Sequence, residues 1–229
     1  MKLLKIVCVA VLAVAAMPAQ AKIVRIDLVG SIYYISGAMG AAFSYGELVT
    51  ASLKYDTNSP GQTFAPGGVL DPALRYYPSA PTTGVVRIGA YTVHLDTARI
   101  FVTNGERAGP STIDRFIYED NTPSAPPAAG LAIDNIFFNW QDNTATALSD
   151  LTLPDGPAKF ARLGLPTMAI DWGNYLLASN RIAASFSSVT VSSAPEPATW
   201  IMMIGGFGLI GLKQRCGSRN RLGLATPKA

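Results

Sequence analysis

The sequence predicts an all-β fold, an antiparallel β-sandwich of jelly-roll-like arrangement, carried between an N-terminal signal peptide and a short C-terminal transmembrane helix. Three observations point there. Apolar side chains in the body recur with period two, the spacing that puts alternate residues on opposite faces of a strand. Clusters of proline, glycine, asparagine and aspartate punctuate these runs at short intervals. No stretch of the body holds a long amphipathic helical period.

Taken in order, Lys2 and Lys5 precede an apolar stretch at 6–17, and Ala19-Gln20-Ala21 supplies a small-x-small cleavage pattern. Residues 1–21 therefore read as a secretory signal peptide, cut by signal peptidase after Ala21, with Ala19 and Ala21 as the cleavage determinants. Cys8 lies at the beginning of the apolar stretch, not at its end, so lipid modification is not expected.

The body, 22–193, is expected to be one domain. Its clearest strand is 49–56, where Val49, Ala51, Leu53 and Tyr55 share one face and Thr50, Ser52, Lys54 and Asp56 the other. Tyr91, Val93 and Leu95 alternate likewise with Thr92, His94 and Asp96, and Ile100 and Val102 continue the theme. Further strands are expected at 24–35, 84–88, 112–119, 131–140 and 181–191. Turns are expected at Asn58-Ser59-Pro60-Gly61, at 65–68, at 78–81, at Asn104-Gly105-Glu106 and at Pro154-Asp155-Gly156-Pro157. The Pro-rich stretch 122–129 reads as a surface loop, and the small polar stretch 187–194 as a linker.

Composition needs the ends set aside. The formal charge of +3 consists of +2 from Lys2 and Lys5, +4 from five tail cations against Glu196, and −3 left for the body. A mildly acidic exported domain is no nucleic-acid binder. The chain has two cysteines, Cys8 and Cys216, both outside the body. A body of this size buries enough apolar surface to fold without disulfides.

The segment 194–229 carries the most specific signal. Pro195-Glu196-Pro197 can continue neither helix nor strand, because each ring fixes φ and removes a donor. Residues 198–212 follow without a charge, and at about 1.5 Å per residue they span roughly 22 Å as a helix, short of a hydrocarbon core of about 30 Å. Four cations then form a basic stop within the tail 213–229, namely Lys213, Arg215, Arg219 and Arg221. This is marginal as a lasting anchor and suits a transient pause at the membrane.

Pro195-Glu196-Pro197, the Trp200 three residues on, the Met- and Gly-rich apolar run and the basic stop together resemble a PEP-CTERM sorting segment. The resemblance implies export in a Gram-negative bacterium, an inner-membrane intermediate, recognition by an exosortase-type membrane protease, and release to the cell surface or extracellular matrix. Its usual setting is a biofilm rich in exopolysaccharide. The body loosely resembles the domain of unknown function often carried ahead of such a tail, at Ser52-Leu53-Lys54-Tyr55-Asp56-Thr57.

The search for chemistry returns little. His94, the one histidine, falls on the polar face of its strand, away from any serine and acid that would complete a triad. No nucleophile elbow, phosphate loop or zinc-type spacing is present. Neither catalytic residues nor a cofactor nor a bound metal is expected. Glu119-Asp120-Asn121 and Asp142-Asn143-Thr144 offer clustered oxygens but lack the spacing of a calcium loop, and read as solvated turns. Paired carboxylates can cleave glycosides, yet the sequence selects no pair. Exposed aromatics suit sugar rings. Of Tyr33-Tyr34, Tyr76-Tyr77, Trp140 and Trp172, the pair Tyr76 and Tyr77, set among prolines, is expected in a loop as the ligand-stacking candidate. Trp140 is expected in the core.

Two functions follow: a non-enzymatic surface or matrix protein, or a secreted domain that binds or processes carbohydrate. A groove with exposed aromatics separates them, and an enzyme needs two facing carboxylates in it as well. Extracellular polysaccharide is the expected outer partner.

Overall fold

The computed structural model describes residues 22–63, 73–78, 82–108, 111–174, 176 and 179–194. Ten pairings, all antiparallel, join the strands β1 (Ile23–Ile35), β2 (Leu48–Asp56), β3 (Gln62–Thr63), β4 (Leu74–Tyr77), β5 (Thr83–Ile88), β6 (Tyr91–Leu95), β7 (Arg99–Ala108), β8 (Ser111–Asp120), β9 (Ile133–Asp142), β10 (Thr167–Trp172) and β11 (Arg181–Ala194). A single-turn 3-10 helix, Gly37–Ala41, follows β1, and a short helix α1, Pro157–Leu163, precedes β10.

The strands form one sheet in the order β3-β4-β7-β8-β9-β10-β11-β1-β2-β5-β6, where two hydrogen-bonded sheets were expected. Alternation tells which face of a strand is buried and not which neighbours it bonds, so it cannot separate one bent sheet from two. The long strands β1 and β11 carry the bend. Their register shifts between Val29 and Gly30 and again between Ile32 and Tyr34. At the first shift the backbones close in so far that a Cβ on Gly30 would lie 2.1 Å from the Ser185 carbonyl oxygen, which is why glycine stands there.

The sheet rolls over its own core. Tyr55 on β2 and Phe116 on β8 sit five places apart in the sheet, yet their ring centroids are 5.7 Å apart. Phe116, Trp140 and Phe160 pack edge to face around that contact, with α1 supplying Phe160 and Leu163. Where the roll does not close, side chains tie its ends. The Tyr55 hydroxyl donates to the Pro154 carbonyl, the Tyr77 hydroxyl donates to the Leu151 carbonyl at 2.5 Å, and Thr82 donates to Ala98 at 2.6 Å.

Several expectations hold. Val49, Ala51, Leu53 and Tyr55 are all buried, as are Val93, Leu95 and Trp140, and His94 is exposed. Residues 122–129 run as a loop apart from two bridges, Ala128 to Leu131 and His94 to Ser124, the latter covering part of the β6 edge.

Others are corrected. Residues 187–194 are no linker but the far half of β11, paired with β1 as far as Ile23 and Ala194, because Val189 and Val191 pack on the core between exposed hydroxyl residues. Asn104-Gly105-Glu106 is not a chain reversal. It is a bulge inside β7, with Gly105 at φ 70° and its amide bonded to buried Asp114 at 2.9 Å. Tyr76 and Tyr77 lie in strand β4 and not in a loop. Among the described residues no helix is long and apolar enough to cross a membrane; the helix expected at 198–212 lies outside them.

Candidate binding groove

Strands β7, β8 and β9 are apolar on both faces. Their core face carries Ile100, Val102, Phe116, Tyr118, Ile136, Phe138 and Trp140. Their other face carries Phe101, Ile117 and Phe137 at half-buried positions between polar or charged residues. The register sets Tyr76 opposite Phe101 and Phe101 opposite Ile117, while Phe137 lies opposite Glu119 and Ala169. Phe101, Ile117, Phe137 and Glu119 help wall a depression of about 400 Å3, reaching from Leu74 on β4 to Arg181 on β11.

Every carboxylate in the groove has an arginine. Arg99 meets Glu119 at 3.0 Å and Arg115 meets Glu106 at 3.6 Å. Arg181 grips Asp171 with two bonds, Nε to Oδ1 at 2.6 Å and Nη2 to Oδ2 at 2.9 Å. Asp171 is 1% exposed, so this two-pronged bond is what makes a buried carboxylate tolerable there. Arg181 is correspondingly held above its ordinary pKa, chiefly by its hydrogen bond to Asp171. Its guanidinium also lies 5.9 Å from the Phe137 ring centre.

The neutral polar groups are not so provided for. Thr103 and Asn135, each 4% exposed, line the groove with Thr103 Oγ1 and Asn135 Oδ1 unpartnered. Arg115 Nε is likewise without a partner. The Asn135 amide nitrogen reaches Glu119 at 3.4 Å, which turns its oxygen into the free acceptor. With Glu106 Oε2, which meets Arg115 only at 3.6 Å and makes no hydrogen bond, two acceptors, one donor and a hydroxyl that can do either stand among the apolar and ion-paired residues of the floor, a pattern that suits hydroxyl groups.

The residues singled out from sequence fall variously. Tyr76 stacks on Phe101, 4.9 Å between centroids, at the β4 end of the groove. Tyr77 faces the other way, buried and bonded to Leu151, so it offers no face to a ligand. Trp140 and Trp172 are both core residues. Tyr33 and Tyr34, which adjacent places on a regular strand would turn to opposite faces, line one depression together because β1 is bulged there. Ala19, Ala21, Pro195, Glu196, Pro197, Trp200, Lys213, Arg215, Arg219 and Arg221 lie outside the described residues.

The first oxygen cluster is not the solvated turn expected, since Glu119 and Asp120 close strand β8 with Asp120 buried, while the second leads from the end of β9 into an exposed turn. Asp120 accepts bonds from Thr97 and Thr122, and Asp142 from Thr144, Thr146 and Ala147. The Thr144 side chain, followed by those amides, holds the Asp142 carboxyl down at about 2. Among the described residues no three His, Cys, Asp or Glu side chains gather as a metal site.

Phe101, Phe137, Arg115, Asn135, Asp171 and Arg181 escaped the sequence reading. The signal available was the failure of alternation in β7, β8 and β9, where apolar residues continue on the face that alternation assigns to water. Compared with known protein families, curated proteins and solved structures, the chain matches none.

Proposed function

We propose that this is an exported protein of the cell surface or extracellular matrix, sorted by its C-terminal segment, whose domain binds polysaccharide and performs no catalysis. The terminal segments support the address: a cleavable signal at 1–21, then Pro195-Glu196-Pro197 with its apolar run and basic stop, suited to an exosortase-type protease in a Gram-negative envelope. The domain serves in the manner of a jelly-roll-like sandwich module, with its core enclosed and one outer face given to a ligand.

One observation carries the binding reading. The groove pairs its carboxylates with arginines and leaves without a hydrogen bond Thr103 Oγ1, Asn135 Oδ1, Arg115 Nε and Glu106 Oε2, all groups that a hydroxyl would satisfy. Glycoside cleavage needs one carboxyl to give a proton and another to activate water or attack. Here each carboxylate is committed to a guanidinium.

The test is sedimentation of the full-length chain with insoluble exopolysaccharide. The parent should pellet with it. Thr103→Val combined with Asn135→Ala should weaken binding by about tenfold or more, since each lost hydrogen bond to a buried group is worth about 1–3 kcal/mol. Failure of the parent to pellet, or equal pelleting of the variant, would end this reading.

A further inference from the structure

The groove does not stop at Phe137. A second depression of about 360 Å3 shares Phe137 and Arg181 with the first and continues to Tyr33 and Tyr34 on β1. The registers place Phe137, Ala169, Ala183 and Tyr34 in one line across β9, β10, β11 and β1. Two alanines therefore form a low floor between an aromatic at either end. At the Tyr34 end the β-bulge between Ile32 and Tyr34 brings the adjacent Tyr33 onto the same side, and the two rings remain 55% and 44% exposed. Bulges that re-aim side chains in this way are features a sheet retains for a purpose.

The combined trough crosses the sheet from β4 to β1, six strand spacings, or about 29 Å along the surface at about 4.8 Å per strand. That length exceeds any single sugar ring. It is also neutral, since three arginines face three carboxylates along it. Aromatic side chains recur along it at Phe137 and at Tyr33-Tyr34, while Phe101, already stacked by Tyr76, closes the β4 end, and hydroxyl-seeking groups lie between Phe101 and Phe137. An extended peptide is a poor fit, because it draws its affinity from free backbone groups at a sheet edge, whereas here the backbone is already paired within the ladder.

Resting on the polysaccharide-binding reading above, we propose that the trough holds one extended, uncharged glycan strand laid across the β-strands, with separate sugar units stacked on Phe137 and on Tyr33-Tyr34. The ligand is thus a linear neutral polymer read over several units, not a terminal sugar.

The experiment is calorimetric titration of the full-length chain with β-1,4-linked gluco-oligosaccharides of increasing length, from disaccharide to hexasaccharide. Alginate hexamer serves as an acidic control and denatured casein as a polypeptide control. Affinity should rise at least about tenfold between trisaccharide and hexasaccharide as the second aromatic platform is reached. Tyr33→Ala with Tyr34→Ala should bind the trisaccharide as the parent does and lose the rise; both side chains are exposed, so an unchanged melting temperature verifies that the fold survives. Binding that is flat with length, or a rise that persists in the double variant, overturns the extended trough while leaving the smaller groove intact. Tighter binding of the alginate hexamer overturns the neutral-ligand assignment. If no gluco-oligosaccharide binds, or casein alone does, both this proposal and the reading beneath it fall.

Discussion

Removing the hydroxyl of Tyr55 should loosen the domain where its rolled sheet fails to close. Tyr55 on β2 and Tyr77 on β4 stand seven places apart in the sheet, and both donate to the stretch 151–154, which leads into α1. Tyr55→Phe keeps the ring and its packing on Phe116 but leaves the buried Pro154 carbonyl without that donor. An unsatisfied buried acceptor costs about 1–3 kcal/mol. Tyr77→Phe exposes a milder loss, about 0.5–1.5 kcal/mol, because Leu151 is only half-buried and water can replace the hydroxyl. At about 2–4 °C per kcal/mol for a domain of this size, Tyr55→Phe should lower Tm by about 2–12 °C and Tyr77→Phe by about 1–6 °C. Since the two bonds hold the same short stretch, the double variant should deviate from additivity by about 0.5 kcal/mol or more.

The pH dependence supplies a second readout. Burial pushes both phenols above their ordinary value of 10.0; Asp155 adds to the effect at Tyr55, while Arg75 partly opposes it at Tyr77. A folded pKa raised above the unfolded one contributes stability fully present below pH 10.0 and lost as pH rises beyond it. Melts followed by circular dichroism from pH 8 upward should therefore show a steep alkaline decline in the parent and a shallower one in the double phenylalanine variant. Equal Tm for parent and Tyr55→Phe, together with identical alkaline slopes, would refute the claim that these hydroxyls fasten the open side of the roll.

Gly30→Ala should destabilise by several kcal/mol or prevent folding, because the new methyl meets the backbone of Ser185 at 2.1 Å and of Phe186 at 2.7 Å, and overpacking against backbone has no cheap relief; a Tm within about 2 °C of the parent would contradict it. Asp142→Asn should lose the acid response of its turn. With the folded carboxyl held down at about 2 against 3.8, chiefly by the Thr144 side chain, its contribution is present above pH 3.8 and lost as pH falls through 2, so parent and variant melts should converge toward pH 2. Pro195→Ala with Pro197→Ala should leave the chain uncut in the inner membrane, since the helix can then extend into the hinge. Fractionation that finds the variant released like the parent would remove the sorting segment's support.

Strand identity was legible wherever one face is wet. At 49–56 and 91–95 alternation alone names the core residues, because a polar residue at every second position leaves one assignment possible. Three strands went unread for different reasons, the first of them, β3, because two residues carry no period at all. In β10, Met168, Ile170 and Trp172 do alternate with Thr167, Ala169 and Asp171, but the run is only six residues and its outward side holds a buried aspartate. In β4, proline neighbours argued for a loop, but they flank the four-residue strand without entering it. Tyr33-Tyr34 was beyond alternation in principle, because a bulge resets the period at the very residues in question. The arginine–carboxylate pairs were illegible too, since register between strands brings Arg181 beside Asp171 and sequence spacing does not reveal register.

The same register explains why this face suits recognition. Cross-strand neighbours Asn135, Asp171 and Arg181 form one row, and that row fixes the chemistry of the whole groove. Were Arg181 absent, Asp171 would be a buried, unpaired carboxylate beside an amide, a costly group that could take part in proton transfer. With Arg181 gripping both oxygens, the carboxylate becomes a rigid anchor, and the guanidinium is left lying over Phe137 at the joint between the two depressions. Arg181 thus satisfies a buried charge and extends the flat surface from which a ligand's apolar face can be held. Thr103 and Asn135, whose side-chain oxygens have no partner, line the same groove as Arg181. Such a surface gains from a ligand that stacks and hydrogen-bonds at once while carrying no charge to disturb the pairs, which is the chemistry of a neutral sugar chain and of few other polymers.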